Sequence, residues 1–205
     1  MGTRRLARLA ITLGCVGLAS GTSLIVFFAA GGPFGTFNDV GNGALGLLSG
    51  LLAVALSRSG AAPPPGGGSV TSSLALLGAG VTVVGSLLIL TDTTGFFFAG
   101  LVSSSGFALI GVWLIALNRW LSSDAAAGWP ARRVPLGVAA GTVMLLGVVS
   151  VVGVSMGLDD MDTAPVWIHV GGLGWIGTYL LFPIWSIWFG RALTGPARTR
   201  RTGTD

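Results

Sequence analysis

The chain contains no lysine, no glutamate and no glutamine, and only 9% of its 205 residues are charged. Soluble domains carry roughly a quarter charged residues, so an ordinary water-soluble fold is excluded. A single histidine, His169, rules out bis-histidine haem ligation within the chain. A single cysteine, Cys15, rules out an internal disulfide and any cysteine-built metal cluster. Nucleotide-binding glycine loops and recognised metal-ligand spacings are missing too, so no cofactor and no metal is expected. All 11 basic residues are arginine. With heavy Gly and Ala use, this points to a GC-rich, bacterial genome.

What remains is apolar. Hydrophobic residues make up 52% of the chain, and the mean hydropathy is +0.84. The stretch Pro165–Arg191 runs 26 residues to its closing arginine without a carboxylate. At 1.5 Å per residue it exceeds a hydrocarbon core of about 30 Å. Trp167 marks one boundary, and Trp185, Trp188 and Arg191 mark the other, as interfacial indoles and flanking arginines do. The N-terminal MGTRRLARLAITLGC resembles a secretory or lipoprotein leader. Its apolar run continues past Cys15 to Ala30, so an uncleaved first helix is expected.

Six apolar segments emerge, at about 6–30, 41–57, 70–90, 95–118, 134–157 and 165–190. They predict an all-α, polytopic membrane protein: a compact six-transmembrane-helix bundle in one domain, 1–205. The second segment is the shortest, and Gly41, Gly43, Gly46 and Gly50 weaken it as an isolated helix. Charge placement restores it. If six helices alternate, all 11 arginines fall on one side of the membrane, and Asp39, Asp92, Asp159, Asp160 and Asp162 on the other. Arginine marks the cytoplasm, so both termini are expected inside, in the plasma or inner membrane. The pI of 11.0 is explained by this topology, and no nucleic-acid partner is expected. The bilayer is the expected partner, with another membrane protein as a second.

Between the segments, 58–69 reads as a flexible linker, with Pro63–Pro65 followed by Gly66–Gly68, and 192–205 as a basic tail. Trp120 and Trp129 beside arginines suit the inner headgroups. The TDTTG turn at 91–95 forces helices 3 and 4 into an antiparallel hairpin. Arginines close the even helices, at Arg58, Arg119 and Arg191, each eight residues after Gly50, Gly111 or Pro183. Leu-Gly pairs recur in the odd helices, at Leu13-Gly14, Leu77-Gly78 and Leu146-Gly147, so three pseudo-repeated hairpins would fit. Four-residue glycine spacings, such as Gly17/Gly21 and Gly46/Gly50, suit close helix packing within one bundle.

Few polar groups enter these segments, and they gather toward the end where helices 2, 4 and 6 begin. Asn38, Asp39 and Asn42 lie at the expected start of helix 2, where Asn38 or Asp39 would cap it. His169 falls about four residues into helix 6, near Asp159, Asp160 and Asp162. A carboxylate beside that imidazole would make a pH-responsive pair. Together these seven residues form a candidate polar cluster at the outer mouth.

Ser103, in GLVSSSGFALIG, and His169, in HVGG, resemble the rhomboid intramembrane serine proteases, which also have six helices. The resemblance implies Ser103 as nucleophile, His169 as base and Asn42 as half of an oxyanion-holding pair on helix 2. In this chain Ser104 stands at the family's glycine position, Leu101 at its first glycine, and Asn38 where the helix 2 histidine belongs. Counted along the helices, Ser103 is about 12 Å deep and His169 about 6 Å, a poor match for a nucleophile–base hydrogen bond. The leading expectation is therefore a non-catalytic accessory or scaffold bundle. Small-solute or cation permeation through an acidic outer mouth comes second, and a divergent rhomboid-like protease or pseudoprotease third.

Overall fold

Long apolar runs must hydrogen-bond their own backbone, and helices achieve this within a single segment. The computed structural model describes residues 2–59, 67–123 and 134–194, which are almost wholly helical and contain no strand. Six helices result: α1 Thr3–Ala30, α2 Phe34–Arg58, α3 Gly67–Leu90, α4 Phe96–Leu121, α5 Val134–Ser155 and α6 Val166–Thr194. Each is long and apolar enough to cross a membrane. Most of the expected linker and tail, and the segment 124–133 with Trp129, lie outside the described residues.

Each helix packs against the next in sequence, and α6 closes the ring by lying along α1. Arg4, Arg5, Arg8, Arg58, Arg119 and Arg191 gather at one end of the bundle. Asp92, Asp159, Asp160 and Asp162 lie in the connections at the other. These are called below the arginine end and the aspartate end. At the aspartate end Gly31, Gly32 and Asp92 take positive φ (66°, 71° and 52°) to turn the chain sharply between helices.

The three helix-loosening positions acquire a packing meaning. A Cβ on Gly50 of α2 would lie 3.0 Å from Ala79 of α3, and one on Gly111 of α4 would lie 2.7 Å from the Gly141 carbonyl of α5. Pro183 of α6 packs on α1, its carbonyl 2.6 Å from where a Gly14 Cβ would be. Each even helix thus meets the following odd helix at its loosening residue, cyclically around the ring.

Toward the arginine end the interior is filled. Phe182, Trp185 and Phe189, at helical spacing on one face of α6, are fully buried. Their rings stack with centroids 6.1 and 5.0 Å apart. Around them pack Leu13, Leu45, Leu52, Ile110 and Leu114, also fully buried. Asn118 of α4 is drawn into this region. Its Oδ1 accepts a 3.0 Å bond from Trp185 Nε1, and its Nδ2 donates to the Leu114 carbonyl at 2.8 Å.

One boundary differs from the sequence reading. Helix α2 begins at Phe34, well before residue 41, and its first turn has no side-chain cap. Asn38 and Asp39 therefore lie one to two turns inside the helix and do not cap it. Tertiary contacts override the glycine-poor propensity: Gly41 presses on Ser20 of α1, and Gly46 on Thr82 of α3, with would-be Cβ distances of 2.6 and 2.9 Å.

Candidate functional site

Helix α2 presents two polar faces to the bundle. Asn38 and Asn42, four residues apart, share one face, which meets α1 and α6. Asn38 Nδ2 donates to the Ser20 carbonyl at 3.0 Å and to Ser20 Oγ at 3.1 Å, and Ser20 Oγ donates to the Asn38 carbonyl at 3.1 Å. Tyr179 Oη donates to Asn42 Oδ1 at 2.6 Å and accepts from Asn38 Nδ2 at 3.4 Å. Asn42 Nδ2 returns to Asn38 Oδ1 at 3.3 Å. The result is a closed ring of amide and phenol groups joining three helices.

Asp39, Gly43, Gly46 and Gly50 follow the other face, toward α3. A Cβ on Gly43 would lie 3.3 Å from Ser86 Cβ, so Asp39 stands one turn beyond Ser86's level, toward the aspartate end. The Asp39 side chain is only 8% exposed, yet it makes no hydrogen bond or ion pair among the described residues. Ser86 is 4% exposed, and its hydroxyl also lacks a partner. Both line a cavity of about 20 Å³, walled further by Asn42, Ser103, Ser104 and Tyr179. On the geometry of α2, Asp39 lies about 8 Å along the helix from its first residue.

Helix α6 is irregular where it serves this cavity. It opens with a tight 3₁₀ turn at Val166–Ile168 and widens into a π-turn at Gly177–Leu181, just before Pro183. π-turns concentrate at functional sites because the extra residue re-aims side chains. Here the turn carries Tyr179 to the asparagines. Gly21 of α1 leaves room for it, since a Cβ there would sit 2.6 Å from Tyr179 Cβ.

A second cavity of about 110 Å³ adjoins the first and contains His169 with Ser150, Met161 and Phe97. Ser104 and Trp175 line both. Trp175 Nε1 donates to Ser104 Oγ at 3.1 Å. This contact fixes the level of α6 against α4: Trp175 stands opposite Ser104, and His169 is six residues, about 9 Å, nearer the helix start. No hydrogen bond joins Ser103 to His169. Ser103 lines only the first cavity, and its carbonyl accepts from Thr82 Oγ1 at 3.4 Å.

The sequence-derived cluster therefore divides. Asn38, Asp39, Asn42 and Ser103 come together in one chamber, and His169 lies in the neighbouring one. Asp159 Oδ2 accepts from the Gly95 amide at 3.2 Å, fastening the α5–α6 connection to the start of α4. Asp160 Oδ1 accepts from the Asp162 amide at 2.9 Å within the same connection. None of these three carboxylates pairs with His169, whose ring instead lies 6.5 Å from Phe97. Among the described residues no three His, Cys, Asp or Glu side chains come together to hold a metal ion.

Tyr179, Ser86 and Trp175 were not singled out by sequence, and Ser104 was noted only as a departure from the rhomboid pattern. Tyr179, the only tyrosine in the chain, carried the one usable signal, because a phenol in an apolar run needs a hydrogen-bond partner. No protein family, curated protein or solved structure matches the chain.

Proposed function

We infer that the protein is a non-catalytic, multi-pass protein of the cell membrane, with both termini cytoplasmic, that binds a small positively charged ligand in the chamber at its aspartate end. The observation that carries this reading is Asp39, a carboxylate enclosed by the bundle, facing a cavity and without a partner. Charged side chains in apolar spans are costly, and those that persist are usually functional. A carboxylate left unpaired in such surroundings calls for a counter-charge. The aspartates of the surrounding connections place further negative charge around the entrance, which favours cations over anions.

Binding is supported better than permeation. The stacked Phe182, Trp185 and Phe189 and the leucines around them fill the half of the bundle below the chamber. The different levels of Ser103 and His169 weigh against serine-protease chemistry.

Cysteine accessibility tests the reading. Cys15 is exposed on α1 and is first replaced by serine. Gly100 lines both cavities, and a Cβ there meets nothing within 4 Å, so Gly100→Cys is accommodated. A small water-soluble thiol reagent should label it from the external side. No labelling from that side, or labelling only from the cytoplasmic side, would refute the reading.

A further inference from the structure

We propose that the ligand of the Asp39 chamber is a single dehydrated monovalent cation of sodium's size, held by the Asp39 carboxylate together with the Ser86 hydroxyl. The proposal rests on the reading of the chamber as a cation-binding site and adds the chemical class of the occupant.

Size decides first. A cavity of about 20 Å³ is on the scale of one water molecule. That fits a small ion stripped of its hydration shell better than an organic ammonium, a sugar or an amino acid. Charge decides next. One carboxylate faces the cavity, so one positive charge is neutralised. A divalent ion would keep an uncompensated charge in a low-dielectric interior, where the penalty is severe. Calcium also prefers six to eight oxygens, with several carboxylates among them, and no cluster of that kind exists among the described residues.

Chemistry decides last. Ser86 Oγ is buried, lines the same cavity and has no hydrogen-bond partner. Buried hydroxyls are nearly always satisfied, and an orphan that lines the same cavity as an orphan carboxylate marks a place for a third body. A dehydrated cation accepts lone pairs from both. Asn42 Oδ1 is already held by Tyr179 at 2.6 Å, and its second lone pair is open to the same occupant. Asn38 and Tyr179 are bonded within the asparagine–tyrosine ring and fix the wall around the ion.

The experiment is a thermal unfolding series on the purified full-length protein in detergent. Sodium chloride replaces N-methyl-D-glucamine chloride at constant ionic strength, and that organic cation is too large for the cavity. The unfolding midpoint should rise with sodium and saturate, as expected when a ligand binds only the folded state. Asp39→Asn, which keeps the shape and removes the charge, should abolish the rise. Ser86→Ala should leave the rise but shift its half-saturating sodium concentration upward by roughly tenfold, the scale of one lost polar partner at an ion. An equal rise in both salts, a rise that survives in Asp39→Asn, or an unshifted midpoint in Ser86→Ala would overturn the proposal. So would a midpoint that answers to acid but not to sodium, which would assign the site to a proton. If Gly100→Cys labels from the external side and sodium has no effect, the chamber stands and only the identity of its ligand falls. If labelling also fails, both fall.

Discussion

Trp175 Nε1 donates to Ser104 Oγ at 3.1 Å across the partition between the Asp39 chamber and the larger cavity that holds His169. An apolar groove of about 400 Å³ between α1 and α6 also adjoins the chamber and shares Leu24, Trp175 and Tyr179 with it. A cation crossing that groove would meet no side-chain oxygens but those of Thr22 and Tyr179, at a cost of several kcal/mol. The His169 cavity offers hydroxyls and an imidazole, so of these two neighbours it is the polar one, with Trp175 standing between it and the chamber.

Trp175→Phe should therefore ease access to the chamber. The substitution removes the donor and part of the ring while keeping an aromatic group. A hydrogen bond worth about 1 kcal/mol corresponds to roughly a fivefold change in rate or population. A cysteine at Ser103, which lines only the inner chamber, should react about fivefold faster in the Trp175→Phe background. One at Gly100, which lines both cavities, should react at an unchanged rate. Equal acceleration at both positions would mean that the bundle has loosened generally and that Trp175 is no partition.

Tyr179→Phe probes the amide–phenol ring. It leaves Asn42 Oδ1 without its 2.6 Å donor and Asn38 Nδ2 without one acceptor, in a buried setting. Unsatisfied buried groups cost about 1–3 kcal/mol. Thermal unfolding in detergent should show a lower midpoint for Tyr179→Phe, while Ser105→Ala, on the same scale of change but with a hydroxyl bonded only within its own helix, should differ little from wild type. A midpoint for Tyr179→Phe equal to wild type would show that the ring is not a structural clamp.

The helices were legible because hydropathy and length decide them, and both are local properties. The end of the bundle at which polar residues gather was legible as well, because arginine and aspartate sort with helix alternation. Helix α2 shows where local reading fails. Gly41, Gly43, Gly46 and Gly50 lower helix propensity, and the segment reads as short. Those same glycines admit Ser20, Ser86 and Thr82 from two other helices, which holds the helix together as far as Phe34. The longer helix turns Asn38 and Asp39 from caps into chamber walls. That Asp39 and Ser86 line one cavity was hidden for a related reason: serines are frequent in these helices, and only the packing of α2 on α3 selects one. The π-turn that aims Tyr179 has no local signature beyond a cluster of glycines and Pro183.

The proposed sidedness rests on the sorting of charge and can be tested apart from the chamber. Reporter fusions near 62 and 126 should read cytoplasmic, and those near 36, 93 and 161 external. Each external position falls in a connection at the aspartate end, at or beside 31–33, 91–95 and 156–165. A cytoplasmic signal at 93 would reverse the orientation and put the mouth of the chamber inside the cell.

Flux measurements separate binding from transport. Below Asp39 the bundle interior holds the stacked rings of Phe182, Trp185 and Phe189, all fully buried, with centroid spacings of 6.1 and 5.0 Å. Asn118 and the Trp185 indole within this layer are bonded to each other at 3.0 Å, and the Ser186 hydroxyl, also buried there, is too little to replace an ion's hydration shell. An ion passing that layer would shed its ligands in a region packed with side chains, against a barrier of many kcal/mol. Vesicles reconstituted with the wild-type protein should consequently carry no sodium current above empty vesicles, even at concentrations that saturate the stabilisation. Asn118→Leu should leave the flux at zero and lower the unfolding midpoint, because the indole N–H loses its acceptor at a cost of about 1–3 kcal/mol. Sodium flux in the wild type that disappears in Asp39→Asn would replace the binding reading with a channel or carrier whose aromatic layer opens in a second conformation.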